Sequence, residues 1–138
     1  MIRRYTASAD NTIVSAYQLN LETRGTGANA GRADILETFS IYGRQSTSSQ
    51  ELSRILVKFP VNKISADRTK GLVPASGSVS FYMRLYNAPS SKTVPRNYKI
   101  LVRPVTRDWE EGDGLDLEGY KDLTYSKYGS NWIRASEA

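Results

Sequence analysis

Seven carboxylates crowd fifteen residues in the last third of this chain: Asp108, Glu110, Glu111, Asp113, Asp116, Glu118 and Asp122. Oxygen ligands at that density could hold calcium or supply the carboxylate pair of a glycosidase. The spacing is not that of an EF-hand, because Asp113-Gly114-Leu115-Asp116 lacks the alternating carboxylate ladder and the closing glutamate. Carboxylates so near in sequence, on a loop, rarely flank one bond from both sides. A solvated acidic loop is the simpler reading, with calcium left open for residues 108–122. No cofactor and no metal are assigned.

Tyr82 and Tyr86 share an outward face with Arg84, and Tyr42 falls on a candidate neighbouring strand. Aromatic platforms stack on sugars and on single-stranded nucleic acid, but tyrosine is equally at home where one subunit packs on another. The interface reading is favoured for these four residues. The loop Gly25-Thr26-Gly27-Ala28-Asn29-Ala30-Gly31 contains GxGxxxG without a helical pattern behind it, so it fails the nucleotide-binding context. It reads as a loop whose glycines take positive φ. The chain has no cysteine and no histidine. Thiol nucleophiles, disulfides, Cys/His zinc sites and Ser-His-Asp triads are excluded, and acid–base work would fall to Asp, Glu, Lys or Tyr. No catalytic set emerges, and the expectation is a protein that is not an enzyme.

The elements that would position these residues are strands. Ser53–Val61 (SRILVKFPV) alternates: Ile55, Val57, Phe59 and Val61 point one way, Arg54 and Lys58 the other. Ser78–Ala88 (SVSFYMRLYNA) does the same, with Val79, Phe81, Met83 and Leu85 inward. Tyr98–Thr106 is apolar on both sides, which suits a central strand, and places Ile100 and Val102 in the core with Trp109 just beyond. Weaker strands are expected over Thr12–Leu21, with imperfect alternation, and over Ile35–Tyr42. One helical turn is expected near Ser65–Thr69. No stretch carries a 3.6-residue apolar stripe. At 138 residues the expectation is one domain, an all-β antiparallel β-sandwich of jelly-roll or Ig-like type. Residues 1–12 form an N-terminal arm, and residues 117–138 an irregular, aromatic-rich tail that closes one end of the core.

The net charge of +5 is uneven. Residues 1–107 hold 16 Lys or Arg against 6 Asp or Glu, and residues 108–138 hold 3 against 8. The basic residues are scattered along strands and loops, so solvated faces explain them better than a nucleic-acid surface. The opposite signs could orient head-to-tail contacts between copies. Two arginines near Met1 precede no apolar stretch, so no signal peptide is read. No run approaches transmembrane length, and no membrane partner is expected.

Taken in order, ADNTI, the loop GTGANAG, SRILVKFPV, SVSFYMRLYNA and a strand running into RPVTRDWEEGDG resemble the DNRLRE-type β-sandwich family. Arg54–Pro60, Val79–Tyr86 and Val102–Glu110 match its three strand motifs, and the wording is most similar to the version in virion structural proteins of tailed bacteriophages. The resemblance spans about residues 9–116. It implies a non-catalytic structural module of a phage particle, a capsid-surface, decoration or tail-associated protein, assembled in the host cytoplasm. Its implied partners are other virion proteins and copies of itself. A carbohydrate-binding or cell-surface adhesion module is the alternative, with a glycan as partner. The family's sandwich continues past the tryptophan and acidic turn, whereas this chain stops at Ala138. It is expected to be either the N-terminal part of a longer protein or a shortened form, with a sandwich incomplete at its C-terminal end.

Overall fold

The computed structural model describes residues 2–42, 50–89, 96–115 and 123–137. Its regular elements are β1 (Ala9–Ser15), β2 (Ser40–Tyr42), β3 (Gln50–Lys58) and α1 (Val61–Thr69). The strands form one antiparallel sheet of order β1-β3-β2. The register runs from Ala9 opposite Lys58 to Ser15 opposite Leu52 on one side of β3, and from Ser40 opposite Leu52 to Tyr42 opposite Gln50 on the other. The described chain is thus mostly non-helical and antiparallel. It divides into two compact units: a body of residues 1–61 and 107–138, and a second unit of residues 62–106.

β1 explains its own imperfect alternation. Every residue from Asn11 to Ala16 is buried, so both faces of the strand are covered and neither needs to be uniformly polar. Val14 and Ala16 pack with Ala28, Ala30 and Leu123, and Ala33 and Phe39 lie against that cluster. On β3, Ile55 and Val57 are half-buried, but so is Leu56, and Phe59 stands 36% exposed at the strand's end. Glu51 is fully buried and its Oε2 accepts the Tyr17 N–H at 2.8 Å, which holds the chain where it turns out of β1.

β2 is shorter than the sequence pattern of Ile35–Tyr42. The Ser53 hydroxyl supplies the reason: it accepts the Phe39 N–H at 2.7 Å and donates to the Glu37 carbonyl at 3.0 Å. The Glu37 N–H is taken by Thr12 Oγ1 at 3.3 Å. Side chains replace the ladder here, and the strand begins only at Ser40.

α1 is longer than the single expected turn. It ends in a Schellman motif: Leu72 N–H donates to the Asp67 carbonyl at 2.9 Å and Gly71 N–H to the Arg68 carbonyl at 3.0 Å, with Gly71 at φ 71°. None of its residues is buried, so capping sustains it rather than an apolar face.

The rest of the second unit corrects the expected core. Residues 78–89 and 96–106 form no strand. Val79 is half-buried, but Phe81 is 64% exposed, Met83 44%, Leu85 57%, Ile100 51% and Val102 66%. Alternation gives these residues a face to bury, but no paired strand and no opposing layer cover it among the described residues. The core of the body is built instead on β1, the glycine loop and Leu123, with Trp109 buried at 9% exposure.

Candidate functional site

The centre of the body is a set of buried polar side chains drawn from segments far apart in sequence. Asn11, on β1, donates through Nδ2 to the Ser130 carbonyl at 3.0 Å and to Ser130 Oγ at 2.9 Å, while its Oδ1 accepts the Ala30 N–H at 3.2 Å. Asn29, on the glycine loop, accepts the Gly114 N–H at 3.0 Å and donates to the Tyr128 carbonyl at 3.0 Å. Ser130 donates through Oγ to the Glu110 carbonyl at 2.7 Å. Asn131 turns the end of the tail by accepting from the N–H groups of Ile133 and Arg134 at 2.9 and 3.0 Å. Each buried amide thus replaces lost water with a backbone partner, and together they tie β1, the loop, the acidic turn and the tail.

The glycines are where these segments approach. The positive-φ glycines among the described residues are Gly71, Gly77 and Gly129, so Gly25, Gly27 and Gly31 do not serve the purpose expected of them. Their role is closeness. A β-carbon on Gly25 would meet the Leu123 side chain, and one on Gly31 the Gly112 backbone. On the other side, a β-carbon on Gly114 would land on the Asn29 carbonyl oxygen. The loop is a docking floor for the tail, which crosses it through Ser126 N–H to the Gly27 carbonyl at 3.0 Å and Trp132 N–H to the Thr26 carbonyl at 3.1 Å.

The acidic turn is spent largely on this scaffold. Glu111 Oε1 accepts the Asp10 N–H at 2.7 Å, Glu110 Oε2 the Glu137 N–H at 3.0 Å, and Asp113 Oδ1 the Ser126 hydroxyl at 2.5 Å. Asp10 is itself an acid, and its carboxyl is raised above its ordinary range by burial and then by the charge of Glu111. Among the described residues no group of three His, Cys, Asp or Glu is placed to hold a metal ion. Asp116, Glu118 and Asp122 lie outside the described residues. In the tail, Tyr125 and Tyr128 stand 63% and 51% exposed, Trp132 is half-buried against Arg54, and Leu123 fills the core; Tyr120 lies outside the described residues.

Arginines sit over aromatic rings around the body. Arg54 lies 4.4 Å from the centroid of Trp132, Arg24 4.4 Å from Tyr17 and Arg134 5.2 Å from Tyr125. Arg54 is therefore not simply a solvated outward residue of β3: it clamps the tail onto the sheet.

Of the four interface candidates, Tyr82, Arg84 and Tyr86 lie on one extended segment of the second unit. Tyr82 is 90% and Tyr86 82% exposed. Arg84 lies 5.7 Å from the Tyr86 ring centroid and donates to its hydroxyl at 3.5 Å. Tyr42 belongs to β2 by its backbone, and its side chain lies outside the described residues. The segment thus presents Tyr82, Arg84 and Tyr86 at alternate positions and Phe81, Met83 and Leu85 at the others, all exposed. Exposed aromatic and apolar side chains in such an arrangement are able to stack on a flat ring or bury against another apolar surface.

Sequence reasoning missed Asn11, Asn29, Ser130 and Asn131. The one available signal was a polar Asn inside the strand-forming ADNTIV. The bonds that tie Asn29 to Gly114 and Asn11 to Ser130 span 85 and 119 residues, beyond any local pattern. No helix among the described residues is long and apolar enough to cross a membrane. Compared with known families, with curated proteins and with solved structures, the chain matches none of them.

Proposed function

We propose that this protein is a non-catalytic structural module of a bacteriophage particle, a β-sandwich protein of the capsid surface or tail that works through subunit contacts. The observation that carries the reading is the open surface of residues 78–89 and 96–106. Phe81, Leu85, Leu101 and Val102 are each more than half exposed there. Apolar exposure of that extent marks a surface that another protein covers. The body supplies a scaffold whose arginine–aromatic contacts and buried amides, Asn11 and Asn29 bonded to backbone groups, hold the fold together. The phage assignment rests on the resemblance of SRILVKFPV, SVSFYMRLYNA and RPVTRDWEEGDG to the virion form of the DNRLRE-type sandwich. Mass spectrometry of purified particles from an infected culture should detect the chain at a fixed stoichiometry, and electron microscopy should place it. Its absence from washed particles would sink the proposal.

One observation favours the carbohydrate-binding reading: Tyr82 and Tyr86, with Arg84 between them, are exposed as a platform. A glycan array separates the two readings. Binding that Tyr82→Ala and Tyr86→Ala abolish supports a glycan module, and an empty array supports subunit contact alone.

A further inference from the structure

β3 is the middle strand of the sheet, yet among the described residues one of its sides is only partly occupied. It pairs with β1 from Leu52 to Lys58, but with β2 only from Gln50 to Leu52. Ser53 donates its N–H to the Phe39 carbonyl at 3.2 Å, so the backbone groups of Ser53 face the β2 side. By the two-residue period of a strand, those of Ile55 and Val57 face the same side. Past Ser53 the neighbouring segment turns away, and the Glu37 N–H goes to Thr12 Oγ1 on β1. No strand lies beside Ile55 and Val57 on that side among the described residues. Unpaired N–H and C=O groups along a strand are a template for one more strand.

The same chain carries a strand without a sheet. Residues 78–88 alternate apolar and polar, contain no proline and form no ladder, with Phe81, Met83 and Leu85 44–64% exposed. Residues 98–106 are a poorer donor, because Pro104 has no N–H to give.

We propose that a second copy of this chain fills the open edge of β3 with its own segment Ser78–Ala88, so that each copy gives one strand and receives one. The proposal rests on the subunit-contact reading above and names the partner. Donor and acceptor are different surfaces of one sequence, so the contact is heterologous and propagates head to tail. Main-chain bonds supply the affinity and alternate side chains the specificity, as in other strand additions. Charge agrees with the direction. Residues 62–106 hold eight Lys or Arg against one Asp, a net of +7, and the body holds eleven against thirteen, a net of −2.

Sedimentation of the full chain across roughly micromolar to hundred-micromolar concentrations, where weak assemblies dissociate, should show species larger than a monomer that grow with concentration. Phe81→Asp with Met83→Asp disables the donor. Val57→Pro removes one donor N–H from the edge. Each variant alone should sediment as a monomer. An equal mixture should give a dimer and nothing larger, since it holds one working donor and one working edge. Tryptophan fluorescence, from Trp109 and Trp132 in the body, reports whether each variant keeps its fold. Where Val57→Pro loses that signal, a synthetic peptide of residues 78–88 replaces it and should dissolve the wild-type assembly to monomers. A wild-type chain that stays monomeric throughout overturns the proposal, whether the segment pairs within its own copy or serves another protein. So does self-association that survives the Phe81/Met83 double variant. Neither result touches the particle reading, which stands or falls on the composition of purified particles.

Discussion

Asn29 does with one side chain what strand pairing does with several residues. Its carbonyl oxygen accepts from Gly114 and its amide donates to Tyr128, so the glycine loop, acidic turn and tail share a single buried anchor. Asn29→Ala leaves one N–H and one C=O without their partner and should cost about 2 kcal/mol or more. Urea unfolding followed by tryptophan fluorescence reads that cost as a lower midpoint at unchanged slope. Asp10 is the opposite case, a residue that opposes the fold. Its carboxyl is raised by burial and by Glu111, so the folded chain holds a proton where the unfolded chain has released it. Between the ordinary carboxylate range and the raised one the native state binds more protons, and stability falls as pH rises through that window. Asp10→Asn should therefore raise the melting temperature at neutral pH, with the gain shrinking to nothing in acid below the ordinary range. A gain of equal size at both pH values would show that charge is not its cause.

Among the elements, β3 was legible because one of its faces is apolar at every second residue, and a period of two survives whatever its neighbours do. β1 was read late by three residues, since Asn11, Thr12 and Ser15 are as buried as Val14 and hydropathy alone does not start a strand on polar side chains. β2 was read five residues too long because nothing local reveals that Ser53, 14 residues past Phe39 and 16 past Glu37, takes over the bonds of Glu37 and Phe39. The glycine loop was placed correctly and explained wrongly. Its composition announces small side chains, but closeness and positive φ leave the same trace in a sequence, and only the segment packed on it tells them apart. Gly114→Ala puts the distinction to a test. The added carbon falls on the Asn29 backbone, and separating the acidic turn from the loop should cost on the order of 3 kcal/mol. Gly77→Ala has open space around its β-carbon and costs only the strain of its φ of 92°, on the order of 1 kcal/mol. Melting curves of the two variants should rank in that order. The reverse order would mean that backbone conformation, not contact with the loop, is what these two glycines protect.

At the scale of the molecule, the body is discontinuous in sequence and continuous in space. Residues 1–61 and 107–138 are joined by Asn11 to Ser130, Asp10 to Glu111 and Arg54 to Trp132. The described residues of 62–106 hold the Schellman turn after α1 and bury Val73, but leave Phe81, Leu85, Leu101 and Val102 open. A chain built this way should tolerate loss of its middle better than loss of its end. Replacing residues 62–106 by a Gly/Ser linker of about twelve residues, which spans about 20 Å as a random coil, should leave Trp109 buried and unfolding cooperative. Stopping the chain at residue 122 removes Leu123 from the core and Ser130 from Asn11, and should leave no cooperative transition. The linker variant should also lose any self-association of the full chain, because the donor segment is gone while the β3 edge remains. Circular dichroism melts and sedimentation on the same two proteins check both halves. A tail-less chain that still melts cooperatively would mean that the sheet alone carries the fold and the buried amides only decorate it.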